Sequence, residues 1–434
     1  MYSYSSRSDT LKKIVIGVII TAVIIGLVWF TAVSGGKMTK VIVHNTGFWI
    51  VMFVAFVFGI IRKLTKPKKF TWLELPIQLL VSFIVIVALY AIFFSTSANL
   101  TDREIWNGYV EQAEYYEEWT ELETYTEQVQ TGTDSKGNAT YTTVTKTRNV
   151  YHGPEWRIVT TAGNFGTRKK IYKNYLNYFG GERKKNLLRA NQISIGDGDM
   201  FYIQLPKNSL PASQEHSYVN YLKASNSVRK VSGFISTYKD FLLPYPRLYA
   251  RQFGEIEIDR VLNVGVNLSK GWSDVVDKKL DLALTYLGAQ KQANILVYLM
   301  NTADQQAVYA LEEFWVKGKK NDIIIVIGST NFPKINFVHI MAWTKIEEFK
   351  IELRNKLLNL GTLSDGNAVA QAIINQVAKA PENGGFERMP MADLEYLIAE
   401  IELPLWCQIL IVLIGGFASW ITSFFLIRND IENY

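Results

Sequence analysis

Residues 294–343 read NILVYLMNTADQQAVYALEEFWVKGKKNDIIIVIGSTNFPKINFVHIMAW. Asn294 to Met300 is a short apolar run with Ile and Val between polar flanks, which predicts a buried strand. Asn301-Thr302-Ala303-Asp304-Gln305 then opens a helix, with Thr302 as cap and Gln305 reaching back to it. Val308, Leu311, Phe314 and Trp315 recur three to four apart and give that helix one apolar face. Gly318 stops it, because glycine accepts the left-handed conformation that helix ends often require. Lys317, Lys319 and Lys320 place positive charge at the negative end of the helix dipole. Ile323 to Ile327 is apolar on both sides, as in a central parallel strand covered by helices. The unit is β-α-β.

Working outward, Glu255 to Val266 predicts a strand. Ser273 to Tyr286 predicts a helix capped by Ser273, with Val276, Leu280, Leu284 and Leu287 on one stripe. Beyond Trp343, Thr344-Lys345-Ile346-Glu347 reads as a second capping box, opening a helix that ends before Gly361. Asn367 to Lys379 is amphipathic, and Pro381 and Gly384-Gly385 break it. Ala392 to Leu403 predicts a last helix that leads through Pro404. No internal repeat stands out.

A strand, a helix ending in Trp315, the turn Gly318 to Asp322 and the strand Ile323 to Ile327 together resemble the TPM domain. That resemblance, over about a fifth of the chain, implies a small α/β unit, often membrane-tethered and facing away from the cytosol. Some members are phosphatases, yet no phosphatase motif is present here to carry over. The wider string from Trp156 through HSYVNYLKAS (His216 to Ser225) to Trp343 resembles membrane proteins encoded by tailed bacteriophages. It implies a phage-infected bacterial envelope and no particular activity.

The net charge of +6 is unevenly distributed. Residues 1–97 hold ten Lys/Arg against Asp9 and Glu74, whereas residues 98–403 are 35 basic against 36 acidic. The basic excess therefore sits beside apolar segments, where it speaks for membrane topology and anionic lipid, not nucleic acid. Four runs read as bilayer spans: Ile14 to Ser34, the shorter Phe48 to Ile61 with its start near Val41, Leu75 to Ser95 and Leu405 to Ile427. Ala32-Val33-Ser34 offers a signal-peptide reading of the first, but that run is long for a signal core. Arg62, Lys63, Lys66, Lys68 and Lys69 mark the loop between the second and third runs as cytoplasmic. Both termini then lie inside and residues 98–403 outside. Trp29, Trp49, Trp72, Tyr90 and Trp406 suit the headgroup level, and Trp420 suits packing against another helix. Gly415 and Ser419 are spaced small-xxx-small, which permits close approach of helices. The one cysteine, Cys407, excludes an intrachain disulfide and a cysteine zinc site.

Between the membrane runs, Thr101 to Tyr125 is dense in Glu, Trp and Tyr. Glu117, Glu118, Glu121 and Glu123 read as a solvated face rather than an acid/base pair. Gly132 to Asn138 is a turn cluster between strand-like flanks. Tyr141, Thr143, Thr145 and Thr147 alternate with Thr142, Val144, Lys146 and Arg148, so neither face is apolar. Such a ribbon projects into solvent or pairs with a neighbouring chain. Arg157 to Thr160 and Met200 to Leu205 are further short strands. Arg183-Lys184-Lys185 reads as solvated surface, with lipid headgroups as the alternative. Pro244-Tyr245-Pro246 reads as a rigid connector.

The four histidines, His44, His152, His216 and His339, are not at metal-ligand spacing. His339 in its apolar strand reads as a core residue, and His152 as turn support. Gly318-Lys319-Lys320 lacks the spacing and Ser/Thr of a P-loop, and no GxSxG occurs. Open parallel sheets bind ligands beyond the C-terminal strand ends. Those ends carry Asn301, Thr302 and Asp304, then Ser329, Thr330 and Asn331, oxygen donors suited to Ca²⁺ or Mg²⁺ or simply to capping and turns. No cofactor is identified.

These readings give four transmembrane helices plus an extracytoplasmic α+β ectodomain. The regions are 1–97 with three helices, 98–250 β-rich with a long hairpin, 251–403 TPM-like α/β, and 404–434 a helix and short tail. The function expected is structural or interactive, in a homo-oligomer. Tyr141, Thr143, Thr145, Gly415 and Ser419 are the contact candidates, and lipid and further copies the partners. The alternatives are a membrane-anchored TPM-type hydrolase using Asp304, a metal-binding module, or a channel.

Overall fold

The computed structural model describes residues 46–67, 74–97, 101–193, 198–224, 233–400 and 403–429. The run Ile14 to Ser34 lies outside these residues. Two compact units divide the chain, one holding the apolar helices and one spanning residues 103–217 and 232–389.

In the first unit, helices α1 (Thr46–Thr65) and α2 (Glu74–Ser97) and the C-terminal helix Leu405–Asn429 are all long and apolar enough to cross a membrane. Phe53, Leu413 and Phe417, each more than 60 % exposed, turn apolar surface outward, as lipid-facing helices do. Inward, Phe48, Val51, Ile86, Tyr90, Cys407 and Ile411 form the packed seam. Tyr90 is fully buried in this seam. Trp420 stacks on Phe417 and Phe424 of its own helix instead of on another helix.

The second unit begins with β1 (Thr101–Tyr116), β2 (Trp119–Thr133), β3 (Ala139–His152), β4 (Glu155–Thr160) and β5 (Gly163–Gly166). Helix α3 (Lys169–Phe179), β6 (Arg183–Lys185), β7 (Met200–Gln204) and β8 (Pro211–Val219) follow. A sheet of order β5-β4-β1-β7-β6, with β8 also on β1, packs Val110, Ala113, Ile158 and Ile203 against Tyr172 and Tyr175 of α3. The packed face of α3 joins Tyr172 and Tyr175 with Ile171, Leu176 and Phe179 at helical spacing.

After β9 (Leu248–Ala250), the strand predicted over Glu255 to Val266 is split into β10 (Ile256–Ile258) and β11 (Val261–Val264). Asp259-Arg260 makes the break, because Arg260 turns into a buried polar network. Next come α4 (Trp272–Lys291), β12 (Asn294–Met300), α5 (Ala307–Phe314), β13 (Asp322–Gly328), β14 (Phe337–Ala342), α6 (Glu347–Asn359) and α7 (Gly366–Ala378). Their sheet runs β11-β12-β13-β14, parallel except for the antiparallel edge strand β14. Every residue of β12 and β13 is buried. On one face Ile295, Val297, Ile323 and Ile325 meet Val276, Leu280, Leu353 and Ile373 of the helices. On the other, Leu296, Tyr298 and Ile324 meet Val308, Leu311 and Trp315, together with Ile105 of β1.

Several helix ends differ from expectation. Helix α5 starts at Ala307 rather than Thr302, and Thr302 accepts instead from the Asp304 N–H at 3.0 Å. Val316, Lys317 and Gly318 are all left-handed, so the helix is closed at Phe314 by three such residues in succession. Helix α4 begins after Gly271, and Ser273 makes no cap. Thr344 accepts from Ile346 N–H at 3.1 Å and donates to the Glu387 carbonyl, so no reciprocal box forms with Glu347. Met391–Glu400 is 3₁₀ rather than α-helical. The Pro244–Pro246 segment is no free connector, because the Tyr245 ring packs edge-on at 5.1 Å from Trp315.

The second unit is closed where the chain enters and leaves it. The Arg388 guanidinium donates to both carboxylate oxygens of Glu104 at 2.6 Å, and Arg103 pairs with Glu215 at 2.8 Å. Gly288 of α4 lies against the Asn107 backbone of β1 so closely that a Cβ would overlap its carbonyl. Gly288→Ala should therefore lower stability by about 1–3 kcal/mol, read as a shifted denaturation midpoint.

Candidate functional site

Beyond Met300 and Gly328, at the C-terminal ends of β12 and β13, the oxygen donors named from the sequence engage each other and nearby backbone. Asp304 accepts from Gln306 N–H at 2.9 Å and from the Tyr238 hydroxyl at 2.5 Å, and the latter bond holds its carboxyl below the usual range. Ser329 is buried and donates to the Lys334 carbonyl at 2.7 Å. The Asn331 carbonyl accepts from Lys334 N–H at 2.9 Å. Asn301 is exposed, and its N–H bonds to the Val264 carbonyl at 3.0 Å. Asp304 is the one carboxylate of the set. Among the described residues no group of three or more His, Cys, Asp or Glu is placed to hold a metal ion.

The opposite ends of the strands hold a buried polar network. Arg260, 1 % exposed, donates to Asp281 at 2.5 Å, to Asn294 and Asn107 at 2.8 Å each, and to Ser213 at 3.2 Å. Asp322 accepts from Asn294 at 2.8 Å, from the Tyr245 hydroxyl at 3.0 Å and from Lys319 N–H at 2.6 Å. Burial outweighs those donors and pushes its carboxyl up to about 6. Burial and the charge of Asp281 likewise push Glu257 up to about 8, against its ion pair with Arg251. These groups join the β-rich sheet to the α/β sheet. No sequence motif marks them, because their partners lie as far apart as Asn107 and Asn294.

The edge strand β14 borders a groove of about 440 Å³, flanked by Glu312 and Lys317 on one side and Lys350 and Arg354 on the other. His339 faces this groove, half-buried, with Nε2 3.3 Å from Glu312. It is therefore not a core residue. Alternation along an edge strand sends every second side chain outward. A carboxylate-imidazole pair can move a proton, but hydrolysis by a covalent route also needs a nucleophile. Thr344 is the only hydroxyl or thiol side chain lining the groove, and its oxygen is committed to Glu387 and Ile346.

His44 lies outside the described residues, and His152 and His216 are held by rings. His152 ends β3, stacks on Trp119 at 4.3 Å and reaches Glu121 at 3.2 Å, so it belongs to the ribbon and not to a turn. His216 stacks on Trp106 at 3.8 Å and bonds the Ala162 carbonyl at 2.7 Å. In the basic block, Lys184 pairs with Asp199 at 2.9 Å over the Phe201 ring.

Strands β2 and β3 form a two-stranded sheet of their own, in register from Trp119↔His152 to Thr133↔Ala139 with one irregularity near Gly132. Asp134 closes its tip by accepting from Lys136 and Asn138 N–H at 2.8 Å each. Among the described residues, only the base meets other backbone, through Leu122 N–H to Asn191 and Ile193 N–H to Thr120. Tyr141 is 60 % exposed, and Thr143 and Thr145 are exposed too. Gly415 and Ser419 lie inside the helix bundle. A Cβ on Gly415 would collide with Val51, and Ser419 accepts from Gln78 at 2.8 Å.

No family model matches the chain, nor does a curated protein or a solved structure.

A carboxyl raised in the folded state keeps its proton while the unfolded chain has lost it, so stability falls as pH rises through that window. For Asp322 the window runs from its ordinary 3.8 to about 6. Wild-type stability should drop by roughly 2–3 kcal/mol across it. Asp322→Asn should make that segment of the curve shallower in urea titrations at stepped pH, leaving the fall that Glu257, raised from 4.5 to about 8, contributes.

Proposed function

We propose that this chain is a membrane-anchored structural component that assembles with further copies of itself and has no enzymatic chemistry of its own. Its setting is the inner membrane of a phage-infected bacterium, with both termini cytoplasmic and residues 98–403 outside. The charge distribution supports the orientation, since the basic residues cluster in the short loop after α1. The phage-protein resemblance supports the setting.

One observation carries the assembly reading. Strands β2 and β3 run for 15 and 14 residues, about 45–50 Å of ribbon by the usual rise. An isolated two-stranded ribbon is marginal in water, because neither face buries apolar area. Most of this one has no third strand and no second layer from its own chain among the described residues. A second copy supplies that layer.

Extracted gently into mild detergent, the wild-type chain should run as one discrete multimer. Replacing residues 123–148 with a short Gly-Ser turn keeps the anchored base and should reduce the particle to a single chain. A wild-type particle of one chain would overturn the assembly reading.

A further inference from the structure

The register of the ribbon sorts its side chains by charge. Directly opposed residues share a face, so Trp119, Glu121, Glu123, Tyr125 and Glu127 lie with His152, Val150, Arg148, Lys146 and Val144. On that face Arg148 pairs with Glu123 at 2.7 Å, Lys146 with Glu127 at 2.7 Å and His152 with Glu121 at 3.2 Å. The other face pairs Thr120 with Tyr151, Leu122 with Asn149, Thr124 with Thr147, Thr126 with Thr145, Gln128 with Thr143, and Gln130 with Tyr141. It carries no charged side chain in six consecutive rungs, although Glu, Lys and Arg alternate with it along both strands. From Leu122 to Gln130 and from Tyr141 to Asn149 it is exposed throughout.

The two faces differ in what burial would cost. Covering the first desolvates three carboxylates and two cations, a penalty that ion pairing often fails to offset. Covering the second from Leu122 to Gln130 and from Tyr141 to Asn149 removes hydroxyls, amides, one phenol and Leu122 from water, groups that can donate and accept among themselves, while Tyr151 at its base donates to the Glu118 carboxylate at 2.7 Å. In a two-fold contact the same patch meets itself, so an uncharged patch sets no like charges together.

We propose that the uncharged face of the ribbon packs against the same face of a ribbon from a second copy. The two form a four-stranded, two-layer sandwich outside the membrane. This rests on the assembly reading above and specifies its contact. Strand spacing and rise give roughly 350 Å² of contact on each ribbon. The total of about 700 Å² is below what a stable interface in free solution buries. The contact therefore needs copies already concentrated by anchoring in one bilayer, as the apolar helices provide.

Single cysteines in a Cys407→Ser background of the full chain, oxidised in membranes, test this. Native Cys407 is buried in the C-terminal helix and is removed to keep the readout clean. Thr126→Cys and Thr145→Cys should give disulfide dimers at least tenfold more efficiently than the adjacent Glu127→Cys and Val144→Cys. Thr126→Glu together with Thr145→Glu should abolish the multimer, and co-expression with Thr126→Lys/Thr145→Lys should restore a mixed one. A multimer crosslinked equally from both faces means edge-to-edge strand addition. One crosslinked from the charged face, or untouched by the charge variants, means a different contact. Either result overturns this inference and leaves self-assembly standing, whereas a single-chain particle throughout removes both.

Discussion

A guanidinium that is 1 % exposed must have its charge met on every side, and the second unit is arranged so that Arg260 does. Asp281 comes from α4, Asn294 from the start of β12, Asn107 from β1 and Ser213 from β8. Four elements far apart in sequence therefore have to arrive before the charge is satisfied. Around it, Asn107 also donates to the Ala293 carbonyl at 2.9 Å, and Asn321 to the Ile105 carbonyl at 2.6 Å. The β-rich sheet and the α/β sheet share this polar seam, and Ile105 of β1 belongs to an apolar cluster of the α/β layer. Removing the cation alone would leave the buried Asp281 with only Arg251 at 3.9 Å, whereas Asn107 still accepts from Ser213 and Asn294 from Asn107.

What the sequence makes legible follows from how local each cause is. Strands β12 and β13 announce themselves because both faces are buried, so every side chain is apolar and no alternation is needed. The stripe Val276, Leu280, Leu284 and Leu287 identifies α4 for the same reason. Helix caps were harder to read. Thr302 and Thr344 both bond nearby N–H groups, but to residues two positions on, which delays the helix start by a few residues. The direction of β14 depends on Phe337 to Ala342 folding back against β13, and nothing within those residues distinguishes parallel from antiparallel. The Arg260 seam is illegible, since an arginine beside a strand is ordinarily solvated. In the ribbon, alternation of Thr with charged residues is visible, but only the register shows that all charges of β2 and β3 fall on one face.

The strand-end loops and the groove beside β14 contain polar groups, yet their hydrogen bonds are mostly satisfied locally. Asp304 is engaged by Tyr238, Ser329 by Lys334 and Thr344 by Glu387. In the ribbon the situation is reversed: the two strands pair with each other, while the outer edges and the side chains of both faces have no third strand or second layer over most of its length among the described residues.

The ion pairs at the limits of the second unit have a mechanical consequence. The chain passes between the two units after residues 102, 217, 231 and 389, and three of those points lie within two residues of Arg103–Glu215 or Glu104–Arg388. Tension arriving along the membrane helices first meets these short crosslinks, which join entering and leaving strands side by side. The pull is thus shared among parallel tethers instead of peeling β1 from its neighbours one rung at a time. A pull applied at these points loads the ion pairs before the hydrogen bonds of β1.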